Sequence, residues 1–279
     1  MSPQEISRSG HYTQPFHGSP MRRLARALAA LALLAGPAAA FESGLKLLAT
    51  GAEGRGWEAV GRLDLGRGSF CTGTLIAPDM VLTAAHCLYD PRSGQMIPAG
   101  QIEFRAGWRN GRAVAYRSAR RAMAHPSYLY QGPDRFDRVA WDLALVQLDA
   151  PIRLPQVQPF ALDRGPGEGD QVGVVSYAHD RAEAPALQSM CEVLKREAGV
   201  VLMNCAADFG SSGAPVFAMR EGEPRIVSIV SAKAELRKEP VSLGALVDGV
   251  TDLEQAMARR ETLPETRETR TSGAKFIRP

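Results

Sequence analysis

The sequence is short of several things, and each shortage excludes a class of protein. It has no long apolar run; the best, residues 28–35, is too short for a good spanning helix. It has four cysteines and no Cys-x-x-Cys pair, and no two histidines stand at ligand spacing, so a zinc site is poorly supported and no metal or cofactor is expected. Basic excess is missing from the body. Residues 1–40 hold four arginines and one glutamate, which is the whole of the net +3, and 29 basic residues face 29 acidic ones from Phe41 onward. Neither a nucleic-acid groove nor a polybasic membrane anchor is expected. Helix signals are sparse, the best covering residues 250–260 with Thr251 as a candidate cap.

What is present begins with an export-like N-terminus. Met21-Arg22-Arg23 opens it, an Ala/Leu run follows, and Ala38-Ala39-Ala40 offers a small-residue cleavage site before Phe41. Met21 is a second candidate start; the alternative for this stretch is an uncleaved anchor. All four cysteines, Cys71, Cys87, Cys191 and Cys205, follow the leader, as expected of disulfides in an exported chain. Three pairings are possible. The simplest joins Cys71 to Cys87 and Cys191 to Cys205, closing loops of about 15 residues that each stabilise by roughly 3 kcal/mol.

From Trp57 the pattern is one of short strands between Gly and Pro turns. Expected strands lie at 59–63, 72–76, 80–83, 102–106, 114–117, 143–148, 172–176, 214–219 and 226–231. Such a series points to an all-β barrel or sandwich. Residues 150–169 carry four prolines and read as a connector between two halves. Residues 41–56 read as a short N-terminal segment, and 259–279, polar and rich in Thr, Arg and Glu, as a disordered tail.

Three segments carry chemistry. In Thr83-Ala84-Ala85-His86-Cys87, small residues let an imidazole sit at a crowded wall, although a lone histidine is usually structural or solvated. Asp142 heads the apolar run Leu143–Leu148; it is either solvated at a strand entry or a buried carboxylate orienting a histidine. In Gly210-Ser211-Ser212-Gly213-Ala214-Pro215, glycines bracket a serine pair, allowing a sharp turn with N–H groups beside an exposed hydroxyl, although Gly-Ser-Ser-Gly is also ordinary loop composition.

Taken together, in the order His, Asp, Ser, these segments resemble the chymotrypsin/trypsin family. Thr-Ala-Ala-His-Cys matches its histidine motif, His125-Pro126-Ser127-Tyr128 followed by Asp142-Leu143-Ala144-Leu145 matches its aspartate segment, and residues 210–215 resemble its serine motif. The resemblance covers residues 57–257, and the compact length and cysteine layout look closest to the bacterial branch that includes glutamyl endopeptidases. It implies an all-β fold, a double six-stranded β-barrel with a short C-terminal helix, within a domain at 57–258. Barrel one would span about 57–150 and barrel two about 169–250. It further implies a catalytic triad of His86, Asp142 and Ser212, an oxyanion hole from the N–H groups of Gly210 and Ser212, and a Ser231 that supports Asp142 or merely lines the pocket wall. The partner implied is a polypeptide substrate, cut by a monomer in the periplasm or outside the cell.

Departures from the family pattern bear on specificity. Ser211 stands where trypsins carry the aspartate that pairs with a new N-terminus. Ala206 falls at the pocket-floor position, which removes the basis for Arg or Lys preference, and Val230 stands where glutamyl endopeptidases carry a histidine. Lys233 replaces a pocket-opening glycine and could attract an acid, narrow the pocket or point to solvent. His125, Tyr128 and Trp141 are expected to be structural and His179 to be solvated. Two rivals are a catalytically inactive binding protein on the same fold and an α/β-hydrolase esterase; the latter requires Gly-x-Ser-x-Gly and the order Ser, Asp, His.

Overall fold

The computed structural model describes residues 44–131 and 135–262. The expected leader and most of the expected tail lie outside them. No helix among the described residues is long and apolar enough to cross a membrane.

The chain forms two antiparallel barrels in sequence. The first uses β2 (Val60–Asp64), β3 (Phe70–Ala77), β4 (Met80–Thr83), β5 (Glu103–Ala106), β6 (Ala115–Ala124) and β7 (Ala144–Leu148). Its order is β2-β3-β4-β7-β6-β5, closed by pairing of β2 with β5. The second uses β8 (Gln171–Ser176), β9 (Ala186–Glu197), β10 (Val200–Met203), β11 (Pro215–Arg220), β12 (Glu223–Leu236) and β13 (Glu239–Leu246). Its order is β9-β10-β13-β12-β11-β8, closed by β8 against β9. Closure pairs most strand edges, whose exposure is the usual liability of a sheet protein.

Residue pattern explains the placement. β7 (Ala-Leu-Val-Gln-Leu) is buried on both faces, as a near-continuous apolar run requires, whereas β6 alternates buried with exposed positions and has one face wet. The core of barrel two gathers Val172, Val193, Val201, Met203, Val216 and Val227 around Cys191 and Cys205. Disulfides join Cys71 to Cys87 and Cys191 to Cys205, one within each barrel. The connector is irregular yet anchored: Phe160 N–H donates to Leu75 O at 3.0 Å and Ile226 N–H to Ala161 O at 3.0 Å.

Several elements differ from the sequence expectation. The N-terminal segment contains a strand, β1 (Leu45–Leu47), which pairs with β9 at residues 186–188. A short helix, α1 (Arg135–Ala140), lies in the β6–β7 connection. The C-terminal helix, α2 (Val250–Thr262), extends into what was expected to be tail, and Thr251 lies inside its first turn rather than capping it. α2 buries Val250, Leu253, Ala256 and Met257, spaced as one helix face.

Candidate active site

His86 stands just past β4, on a single 3₁₀ turn (Ala85–Leu88). Ala84 and Ala85 are fully buried beneath it, and Cys87 is tied to Cys71 on β3, so the backbone beside the imidazole is fixed. Cys87 Sγ lies 3.8 Å from His86 Nε2, but as a disulfide sulfur it is no thiolate and no ligand.

Asp142 is not a solvated strand-entry residue. Its side chain is 3% exposed, and its carboxylate accepts three hydrogen bonds: His86 N–H at 2.8 Å, His86 Nδ1 at 2.7 Å and Ser231 Oγ at 2.5 Å. Because a carboxylate only accepts, Nδ1 carries the proton and Nε2 is left as the acceptor of the neutral ring. Burial alone would pull the His86 pKa down; the charge and hydrogen bond of Asp142 outweigh it, and the pKa is raised above its ordinary value. Ser231, on β12, thus links barrel two to the His–Asp pair of barrel one.

The 206–213 loop of barrel two is shaped by two glycines in left-handed backbone. Gly210 has φ +97 and Gly213 φ +76. A side chain at Gly213 would collide with Thr83 Oγ1 and Thr72 O of barrel one, so only glycine lets the loop seat on β3 and β4. The His179 N–H donates to Phe209 O at 2.8 Å. In a trans peptide the N–H points opposite the carbonyl, so this bond turns the Gly210 N–H away from His179. Among the described residues, neither the Gly210 nor the Ser212 N–H donates to a protein acceptor. Two free donors at one turn make an anion nest.

The two serines have different surroundings. Ser211 is 1% exposed; its hydroxyl donates to Tyr177 O at 3.2 Å and accepts from Arg181 Nη2 at 3.4 Å. Ser212 lines a cleft of about 530 Å³ together with His86, Gly210, Val230, Ser231 and Lys233. Among the described residues its hydroxyl makes no hydrogen bond, with His86 or otherwise; bonds of this kind are often long before substrate binds.

The remaining residues singled out in the sequence fall as follows. Ala206 does not line this cleft; its N–H is held by Gln188 Oε1 at 2.9 Å, and Ala207 forms the wall instead. Lys233 spans the cleft mouth, with Nζ 3.1 Å from Asp208 Oδ1 and 4.1 Å from the Phe209 ring centroid. The same contact, after the Phe209 N–H, holds the Asp208 carboxyl below its usual range. His125 is buried and stacks on Trp141 at 4.6 Å, while exposed His179 stacks on Phe70 at 5.0 Å and lines the cleft.

Thr72 is the residue that sequence reasoning missed. Fully buried on β3, its N–H donates to Ser212 O at 2.9 Å and its Oγ1 to Gly210 O at 2.9 Å, while Oγ1 accepts from Tyr177 N–H at 3.1 Å. A threonine in a β-rich segment carries no local mark of such a role. Thr72→Val keeps the shape and strands two buried polar groups. It is expected to cost about 1–3 kcal/mol in a denaturant titration and to lower kcat more than it raises KM. Wild-type stability with wild-type kcat would show that Thr72 does not brace the loop.

Two closed barrels, with a buried carboxylate–imidazole pair from one facing a serine loop from the other, are the architecture of the chymotrypsin-like serine endopeptidases. Residues 50–244 match the family model described as Trypsin, and the chain belongs to the trypsin family and is a serine-type endopeptidase. It is similar in fold to a solved structure of a Glu endopeptidase in complex with MPD. The two are 20% identical with a TM-score of 0.60, over 73% of this chain and 92% of that one.

Proposed function

We propose that this chain is an exported endopeptidase that cleaves peptide bonds through a His86–Asp142–Ser212 triad and an acyl-enzyme. The observation that carries the reading is the Asp142 carboxylate, buried and triply hydrogen-bonded, with one of those bonds on His86 Nδ1. That arrangement leaves Nε2 free to take a proton from Ser212.

β11 pairs with β12 as far as Ile229, and Val230 is still bonded through its N–H to Ala214 O and through its O to Gly213 N–H, so from Ser231 onward one edge of β12 is open for an extended peptide to add as a strand. Ser212 Oγ attacks the scissile carbonyl as Nε2 accepts its proton. The Gly210 and Ser212 N–H groups stabilise the oxyanion, one such donor being worth about 3 kcal/mol. The imidazolium, stabilised by Asp142, gives the proton to the leaving amine; water then repeats the sequence on the ester and restores Ser212. The side chain before the cut enters between 207–209 and 230–233. Ala207, Val230 and Ala232 are apolar there and Lys233 is engaged by Asp208, which favours small or medium uncharged residues. The leader-like segment and two disulfides support export to the periplasm or beyond.

The test is a pH profile. kcat/KM should rise as His86 loses its proton, with a midpoint above the ordinary histidine value of about 6.5. Stability runs the other way. A raised folded pKa stabilises the fold below the unfolded value, and that contribution is lost as pH climbs through the folded pKa. Activity therefore appears over the window in which this part of the stability disappears. A kcat/KM that stays flat between about pH 5 and 9 would sink the triad reading.

A further inference from the structure

A second cavity of about 490 Å³ adjoins the first on the far side of His86. Its walls include His86, Tyr128, Arg138, Asp142 and the Ser231–Lys233 edge of β12. Its charges are unbalanced. Among the described residues Asp142 is the only carboxylate of these walls, and it is already committed to His86 and Ser231. The cations are Arg138 and Lys233, and Lys233 has its own partner in Asp208. Among the described residues no carboxylate pairs with the Arg138 guanidinium, and its buried Nε has no hydrogen-bond partner. A half-buried guanidinium facing a cavity without a counter-ion favours an incoming anion.

We propose that Arg138 makes this cavity a carboxylate-recognition subsite, through which the enzyme reads an acidic side chain two or four residues before the cut. The proposal rests on the endopeptidase reading. The residue before the cut sends its side chain into the cleft walled by the 207–209 loop, so the chain upstream of it follows the open edge of β12. Side chains of an extended peptide alternate in direction, so the second and fourth upstream residues face the opposite wall, where Arg138 and Tyr128 stand, and the third does not. α1 lies in the first barrel's β6–β7 connection, and its Arg138 lines the same cavity as His86.

The experiment uses matched peptides that differ only by Glu against Gln at the second, third or fourth upstream position, with the ratio of kcat/KM taken within each enzyme variant. Wild type should prefer Glu by about tenfold at the second or fourth position and show no preference at the third. Arg138→Met should bring that ratio to about one, and Arg138→Lys should retain part of it, since lysine keeps the charge but loses the planar fork. A wild-type ratio near one at both even positions, or a preference that survives in Arg138→Met, overturns the inference while leaving the endopeptidase reading intact. Equilibrium binding of the same pairs to Ser212→Ala, followed by fluorescence anisotropy, answers the question without turnover: tighter binding of the acidic member supports the subsite and equal binding overturns it. If acidic peptides bind selectively through Arg138 and none is cut by wild type, the triad reading fails, and with it the assignment of this site to positions before a cut, while carboxylate binding at Arg138 stands.

Discussion

Ser212→Ala is expected to lower kcat by about a millionfold and to abolish fluorophosphonate labelling, while Ser211→Ala remains labelled. The difference follows from burial. Ser212 lines the open cleft, whereas the Ser211 hydroxyl is sealed beneath the loop against Tyr177 O and Arg181. Ser211→Ala removes an anchor and so should lose some stability, visible as a lower unfolding midpoint, but not the nucleophile. Mass spectrometry of the labelled peptide decides between the two. A label on Ser211, or one that persists in Ser212→Ala, would transfer the role elsewhere.

Asp142→Asn is expected to cost about four orders of magnitude in kcat with little change in the far-ultraviolet spectrum. The carboxylate accepts from His86 N–H, His86 Nδ1 and Ser231 Oγ. An amide has one accepting oxygen and a donating NH₂, so it cannot satisfy all three donors. If the NH₂ faces Nδ1, the ring proton moves to Nε2, where it blocks acceptance from Ser212. The His86 pKa should fall as well, because the charge that raises it is gone, and imidazole NMR shifts against pH would report the change. A loss smaller than about tenfold would mean that Asp142 neither orients nor stabilises the imidazole.

How much of this was legible depended on whether the signal was local. The turn Ala77-Pro78-Asp79 and the run after it give β4 residue for residue, because a strand bounded by a proline turn is a short-range statement. β9, β10 and β13 were not legible. Their hairpins turn at Ala198-Gly199 and at Arg237-Lys238, where Ala198, Arg237 and Lys238 adopt positive φ in place of the usual Asn or Gly. Tertiary pairing holds those turns; Gly199 is the lone glycine mark at the first, and neither residue of the second is Gly, Asn or Asp. The same division runs through the site. His86, Asp142 and the serine loop sit in compact motifs. Thr72 and Arg138 take the roles argued for them from neighbours that only the fold supplies, Gly210 and Tyr177 for the one and the cavity beside His86 for the other.

The seam between the barrels has a consequence for the lifetime of the molecule. Each disulfide closes a loop inside its own barrel, so the only covalent tie between the halves is the single connector at residues 150–169. The serine loop is held in register by hydrogen bonds from Thr72 and by the close seating of Gly213 on the other half. One cut in the connector, by a second copy of the enzyme or by any other protease, leaves two fragments joined by non-covalent contacts alone, the β1–β9 pairing and the Thr72 hydrogen bonds among them. Dilution then works against the site: once the fragments part, the imidazole and the hydroxyl belong to different molecules, and inactivation becomes a bimolecular equilibrium in place of an unfolding event.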